Sequence, residues 1–242
     1  MKIVAKTDKG HVRADNQDSY AAGEFTNGDA WAVVCDGMGG ASGGNIASAI
    51  AVKTISEKLQ ESYRADMTER SIRNMIESAI VDANLEIFDM AVKNPHLTGM
   101  GTTVVCVVMR NEEAFVAHVG DSRAYLLTKD TIQQITKDHS VVQTLLEKGQ
   151  LTADEAKSHP SKNIITRALG VENRVKIDFD QVDINDQQAV LLCTDGLSNF
   201  IDENQIHSLV SDGKYYAFAD RLVNKANENG GGDNITVVIV SK

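Results

Sequence analysis

Residues 101–135 read GTTVVCVVMRNEEAFVAHVGDSRAYLLTKDTIQQI, and the fold class follows from them. Residues 101–109 are rich in β-branched side chains, and Arg110-Asn111-Glu112 is a polar turn. Residues 114–119 and 123–128, joined through Gly120-Asp121, read as a hairpin, and a further turn leads to 131–135. These connections are too short for crossover helices, so the stretch predicts an antiparallel meander. Toward the N-terminus, residues 2–7 and 30–35 read as strands, the second almost wholly apolar. The glycine-rich run DGMGGASGG follows, then a helix over 45–59. A second helix is predicted over 69–92, where Ile72, Met75, Ile76, Ala79, Ile80, Ala83 and Ile87 recur at three- and four-residue spacing. Asn94-Pro95 stops it.

Toward the C-terminus, residues 138–170 are polar, with short helices expected at 140–148 and 152–157. Strands are expected at 175–182 and 188–194, helices at 203–211 and 214–229, and a last strand at 235–240. Strand runs mixed with helical pairs fit helices packed on antiparallel sheets better than a βαβ alternation. The expectation is an α+β fold with helices packed on antiparallel sheets. No repeat, linker or low-complexity tract divides the chain, so residues 1–242 are read as one domain with an insert at about 138–170.

The chain has 242 residues, 42% hydrophobic and 24% charged, the mix of an ordinary globular protein. A net charge of -10 argues against non-specific binding to nucleic acid or an anionic membrane surface. Cys35, Cys106 and Cys193 lie in apolar runs without CxxC pairing and read as reduced core residues. No apolar leader opens the chain and no stretch is long enough to span a membrane, so the expectation is a cytoplasmic protein, monomeric by default.

The apolar run AWAVVC ends in Asp36-Gly37, and AVLLCT ends in Asp195-Gly196. Asp233 follows three glycines ahead of the last strand, Asp121 sits in the turn GDSR, and Asp18 lies in RADNQD. Strand ends hold carboxylates rigidly, and hard cations such as Mg²⁺ and Mn²⁺ take oxygen ligands. Glycine beside each aspartate is expected to let the backbone turn, so that a carbonyl also faces a metal. Taken singly, each Asp-Gly reads more readily as a turn and Asp121 as a hairpin residue. Their coincidence at the ends of apolar strands favours metal binding. The six histidines show no zinc-ligand spacing, and His118, inside a strand, reads as a core residue.

In this order along the chain, the motifs resemble the metal-dependent protein phosphatases of type 2C in their compact bacterial form. The resemblance rests on Arg13 and Asp18 in RADNQD, Asp36-Gly37-Met38-Gly39-Gly40, Gly101-Thr102-Thr103 and Gly120-Asp121-Ser122-Arg123-Ala124-Tyr125. It continues through Asp138-His139-Ser140, Asp195-Gly196-Leu197 and Gly232-Asp233-Asn234-Ile235-Thr236. It implies two stacked antiparallel sheets flanked by helical pairs, and hydrolysis of phosphoserine and phosphothreonine in proteins. It also implies two divalent cations, Mn²⁺ or Mg²⁺, with a third in bacterial members. Asp36 would bridge two metals, the Gly37 carbonyl would face one, and Asp195 and Asp233 would bind the other. Asp121 and Asp195 would hold the third, Asp18 would act in the outer shell, and Arg13 would bind substrate phosphate. In-line attack would come from a water bridging two metals. Residues 138–170 match the variable flap, and a Ser/Thr protein kinase is the expected counterpart. Many eukaryotic members carry a histidine where this chain has Met38. The leaving group would then take its proton from a metal-bound water or another group, with His139 considered and not favoured.

Other chemistries fit less well. Six positions after each cysteine stand Ala41, Glu112 and Asn199, not the arginine of a cysteine phosphatase. No P-loop run is present. Gly40-Ala41-Ser42-Gly43-Gly44 matches GxSxG, and Asp195 and His207 follow in the order of a serine hydrolase. That reading leaves Asp36, Asp121 and Asp233 without a role. A non-catalytic metal-binding module of the same fold is the third reading, and the presence of all six candidate residues favours activity.

Overall fold

Period-two alternation along strands that are apolar on both faces produces a four-layer arrangement. The computed structural model describes residues 1–211 and 214–242, without the side chains of residues 40–42. In chain order, β1 (Lys2–Asp8), β2 (Asp18–Glu24) and β3 (Ala30–Met38) lead into α1 (Gly40–Ser62) and α2 (Glu69–Lys93). Then come β4 (Gly101–Thr102), β5 (Val104–Arg110), β6 (Glu113–Val119), β7 (Arg123–Leu127) and β8 (Ile132–Gln134). The short helices α3 (Val141–Glu147) and α4 (Ala153–Ser158) precede β9 (Asp178–Asp183) and β10 (Ala189–Cys193). Helices α5 (Asp195–Ser198), α6 (Glu203–Leu209) and α7 (Phe218–Glu228) lead to β11 (Ile235–Ser241).

One sheet has the order β2-β3-β5-β6-β9, with β4 paired to β3, and the other has the order β1-β11-β10-β7-β8. Every pairing is antiparallel. Along β3, Ala30, Ala32 and Val34 face the second sheet and share a cluster with Val190 and Leu192 of β10 and Val238 and Val240 of β11. The alternate residues Trp31, Val33 and Cys35 face outward and join α1 and α2 in a second cluster. Leu191, Cys193, Val237 and Ile239 likewise face α5, α6 and α7. The α+β class and the two stacked antiparallel sheets are therefore as expected.

Several local expectations are corrected. Residues 114–119 and 123–128 do not form a hairpin: β6 belongs to the first sheet and β7 to the second. Gly120-Asp121-Ser122 carries the chain across the sandwich. Gly120 has φ +108°, and a Cβ there would lie 2.6 Å from Thr103 Cγ2, so glycine is required. The strand expected over 101–109 breaks at Thr103, whose N–H donates to the Asp36 carbonyl at 2.9 Å.

Asp36-Gly37 is not a turn, because β3 runs on to Met38. Gly37 has ordinary backbone angles, so its glycine answers a space requirement. A Cβ there would lie 2.1 Å from the Gly44 carbonyl oxygen, and one at Gly196 would lie 1.9 Å from that of Asn234. Both glycines of the Asp-Gly pairs let another backbone approach. Helix α1 begins at Gly40, before the expected residue 45, and strand β2, half-exposed with no apolar run, was not anticipated. The helix expected over 214–229 is a 3₁₀ turn at Tyr215–Ala217 followed by α7. Among the described residues no helix is long and apolar enough to cross a membrane.

Candidate active site

The inward rows of the sandwich do not end at their last apolar residue. On β3 the row Ala30, Ala32, Val34 continues to Asp36, and Asp18 of β2 is its register partner. On β10 the row Val190, Leu192 continues to Thr194, and on β11 the row Val240, Val238 continues to Thr236. The layer between the sheets thus turns from methyl groups to oxygens at one end. That end opens into a cavity of about 580 Å³ lined by Arg13, Asp36, Gly37, Asp121, Asp195 and Asp233. Six of the seven sequence-expected site residues are brought together there.

Asp18, the seventh, lies beneath, with 9% of its surface exposed. Thr194 and Thr236 donate their hydroxyls to Asp18 Oδ2 at 2.9 and 2.7 Å. Asp18 Oδ1 is buried with no hydrogen-bond partner, as is Asp195 Oδ1. The backbone at Asp36 is clamped: its N–H donates to Thr103 Oγ1 at 2.9 Å, and its carbonyl accepts from Thr102 Oγ1 at 2.8 Å. Thr103 Oγ1 in turn lies 2.7 Å from Ser122 Oγ, beside Asp121. The role of Thr194, Thr236 and Thr103 was missed in the sequence. The signal was their place two residues beyond an inward-facing apolar residue.

The electrostatics are those of crowded anions. Burial, opposed by the two threonine hydroxyls and reinforced by Asp195 and Asp233, pushes Asp18 up to about 7. Burial and then the Asp195 charge push Asp121 up to about 7 as well. Asp36 is driven well above the usual carboxylate range by burial, then by Asp18 and Asp195. Asp195 is raised by burial and by Asp233, and it lies within hydrogen-bonding reach of Asp36. Clustering carboxylates in a low-dielectric cleft disfavours their ionised forms unless a cation compensates.

A hard divalent cation fits this donor set. The oxygens are carboxylates, and two of them, Asp195 Oδ1 at the cavity and Asp18 Oδ1 beneath it, are buried without donors. Among the described residues no group of three or more His, Cys, Asp or Glu side chains is gathered closely enough to hold a metal ion by itself, so a cation here would take much of its coordination from water and backbone. An open arrangement suits Mg²⁺ or Mn²⁺, which keep several waters and use few protein carboxylates.

Arg13 is half-exposed at the cavity and donates through Nη2 to Asp233 Oδ2 at 2.7 Å. Met38 also lines the cavity and brings no titratable proton. His139 is not a cavity group. It is 6% exposed, its Nδ1 accepts from the Gly120 N–H at 3.1 Å, and its Nε2 lies 3.2 Å from Asp178 Oδ2. Nε2 also lies 2.9 Å from Arg167 Nη1, and burial lowers the ring to about 4, so it is neutral. His118 stacks on it at 4.6 Å between centroids and bonds the Lys137 carbonyl, as a core histidine does. Among the described residues Asp195 and His207 do not pair with each other as the hydrolase reading requires. Asp195 bonds Asn199 Nδ2 at 2.9 Å, and His207 Nε2 lies 3.3 Å from the Thr128 carbonyl. The Ser42 side chain lies outside the described part.

The "Protein phosphatase 2C" family model matches residues 8–236. The chain is 39% identical to the "Serine/threonine phosphatase stp" of Listeria innocua, over 100% of this chain and 96% of that protein. It superposes on the crystal structure of the serine/threonine phosphatase Stp1 from Staphylococcus aureus with a TM-score of 0.93 at 33% identity, covering 100% of this chain and 94% of that one. The catalytic domain of the serine threonine protein phosphatase PstP, solved in complex with 2 manganese ions, superposes with a TM-score of 0.86 at 32% identity, covering 98% and 96%. An inward β3 row that ends in Asp36 beside Asp121, Asp195 and Asp233, and similarity over the whole chain, lead to one assignment: this protein belongs to the protein phosphatase 2C family.

Proposed function

We propose that this phosphatase hydrolyses phosphoserine and phosphothreonine in proteins with the help of two divalent cations, Mn²⁺ or Mg²⁺, and a third beside Asp121 and Asp195. The observation that carries this reading is the pair of donorless buried oxygens, Asp18 Oδ1 and Asp195 Oδ1, in a cleft of raised carboxylates. Asp36 and the Gly37 carbonyl would hold one cation, with Asp36 shared by a second that Asp195 and Asp233 complete. Bound cations would activate a water at neutral pH and neutralise phosphoryl oxygens.

The chain's own residues do the remaining work. Thr194 and Thr236 fix Asp18 in one orientation, so it acts from behind the ligands, as outer-shell groups do. Arg13 commits one guanidinium nitrogen to Asp233 and keeps other N–H donors for phosphate oxygens. Met38 has no proton to give and neutral His139 lies outside the cavity, so the leaving alkoxide would take its proton from water or from another group at the cavity. In this reading residues 1–242 act as one catalytic domain, with 138–170 as a flap beside the cavity. The substrates are phosphoproteins made by a Ser/Thr kinase, and the enzyme is a cytoplasmic monomer. The buried unpaired Cys35, Cys106 and Cys193 suit a reducing compartment.

The test is hydrolysis of a phosphothreonine peptide by the purified protein with Mn²⁺, with Mg²⁺ and with EDTA. Release of phosphate that requires metal is expected. No release with either metal from a folded protein would leave a non-catalytic member of the family as the better reading.

A further inference from the structure

A second groove, of about 510 Å³, adjoins the catalytic cavity and shares Met38 and Ile165 with it. Its floor is apolar, from Met38, Ile165, Val171 and Val175, and its rim carries Arg174 and Lys176. Val171 is 48% exposed, although it is a large aliphatic side chain. The wall is held in place from several directions. Buried Asn84 of α2 accepts from the Gly170 N–H at 2.8 Å and donates to the Glu172 carbonyl at 3.0 Å. Leu169 exchanges two backbone hydrogen bonds with Thr102, at 2.8 and 3.1 Å. Arg167 is tied to Asp178 at 2.8 Å. The groove is therefore pre-formed, which lowers the ordering cost of binding.

Its charge runs against that of the molecule. On a chain of net charge -10, the lining holds Arg167, Arg174 and Lys176 against the single carboxylate Glu172. The charge of Arg167 is met by Asp178, whereas Arg174 and Lys176 are exposed and make no ion pair among the described residues. An apolar floor with a cationic rim, continuous with a phosphate-cleaving cleft, suits an extended peptide that is both apolar and acidic.

We propose that this groove binds the polypeptide flanking the phosphorylated residue of the substrate, with an acidic side chain against Arg174 and Lys176. The proposal rests on the phosphatase reading above. It adds a substrate preference: phosphoproteins with an acidic residue near the phosphorylated one are cleaved better than those with a basic residue there.

The test compares phosphothreonine peptides in which Glu or Lys is moved through the flanking positions, with p-nitrophenyl phosphate as a substrate that has no flanking chain. Wild type is expected to prefer Glu at one or more positions by about fivefold in kcat/KM, the scale of a partly exposed pair of charges. The double variant Arg174→Glu, Lys176→Glu is expected to lose or invert that preference through KM, while kcat/KM for p-nitrophenyl phosphate stays within about twofold. The neutral pair Arg174→Gln, Lys176→Gln should lose the preference without inverting it, and repeats the test with less perturbation. Equal turnover of Glu and Lys peptides at every position, or a preference retained in both variants, would overturn the proposal. Failure of wild type to cleave even p-nitrophenyl phosphate with metal would instead overturn the phosphatase reading, and this proposal with it.

Discussion

The inward face of β3 contains two regions built on one geometry. Ala30, Ala32 and Val34 meet the opposite sheet as methyl groups, and Asp36, the next residue on that face, meets it as a carboxylate. The first region is stabilised by removal from water, about 25 cal/mol per Å² of apolar surface. The second is destabilised by the same removal, because burial and neighbouring charges disfavour an ionised Asp36. The packing that holds the sheets together also positions and strains the site. Substitutions in the two regions should therefore move stability in opposite directions.

The largest effect separating them is on turnover. Asp36→Asn removes the ligand proposed to be shared between cations, worth several kcal/mol, and should cut kcat with Mn²⁺ by about 10³-fold or more. Retention of near wild-type turnover would break the proposed site. In the apolar half, Leu192→Ala should destabilise the fold by about 2–5 kcal/mol in urea, with activity per folded molecule unchanged. A change in kcat without a change in stability would mean that the two halves are not distinct.

Much of this division was legible in the sequence. The near-continuous apolar strands, each followed by Asp-Gly, marked both the buried sheets and the site, since strands buried on two faces have few other sequences open to them. The reason for the glycines was not legible. Gly37 and Gly196 read as turn formers, whereas they make room for the backbone of Gly44, a turn of helix further on, and of Asn234, which is distant in sequence; neither close approach is visible in spacing. The switch of sheet at Gly120-Asp121-Ser122 was hidden for a related reason. A short glycine turn looks the same whether the next strand pairs with the last or crosses the sandwich. Strand β2 left no signal because an edge strand with small, half-exposed residues lacks the alternation that betrays a strand. The pairing of Arg13 with Asp233 joins opposite ends of the chain, which spacing does not report.

Smaller effects sharpen the boundary between the halves. Thr194→Val and Thr236→Val together remove both donors to Asp18 Oδ2. They should weaken apparent Mn²⁺ affinity by about 10–100-fold, the usual range for outer-shell groups. An unchanged affinity in a calorimetric titration would show that Asp18 plays no part in the site.

The pH dependence is expected to be smaller still. Asp18 and Asp121 titrate near 7 in the metal-free fold against an ordinary 3.8, so the native state binds more protons than the unfolded chain between those values. Their contribution to metal-free stability is thus lost as pH rises through that window. Protons also compete with metal, so Mn²⁺ affinity should fall as pH drops below about 7. His139, lowered to about 4, acts in the opposite sense on stability, which gains as pH rises toward 6.5. The readout is therefore the difference between wild type and Asp121→Asn, which should grow with pH in EDTA. A difference constant from pH 5 to 8 would contradict the raised Asp121.

The most direct test of a cleft whose carboxylates are strained without metal is the thermal unfolding of wild type and Asp36→Asn at pH 8, in EDTA and in Mn²⁺. The account predicts that in EDTA the variant is the more stable protein, because the amide no longer has to be ionised or protonated at a cost in the buried cleft. Mn²⁺ should then raise the melting temperature of wild type and leave that of the variant nearly unchanged. A variant less stable than wild type in EDTA, with both proteins stabilised equally by Mn²⁺, would contradict it.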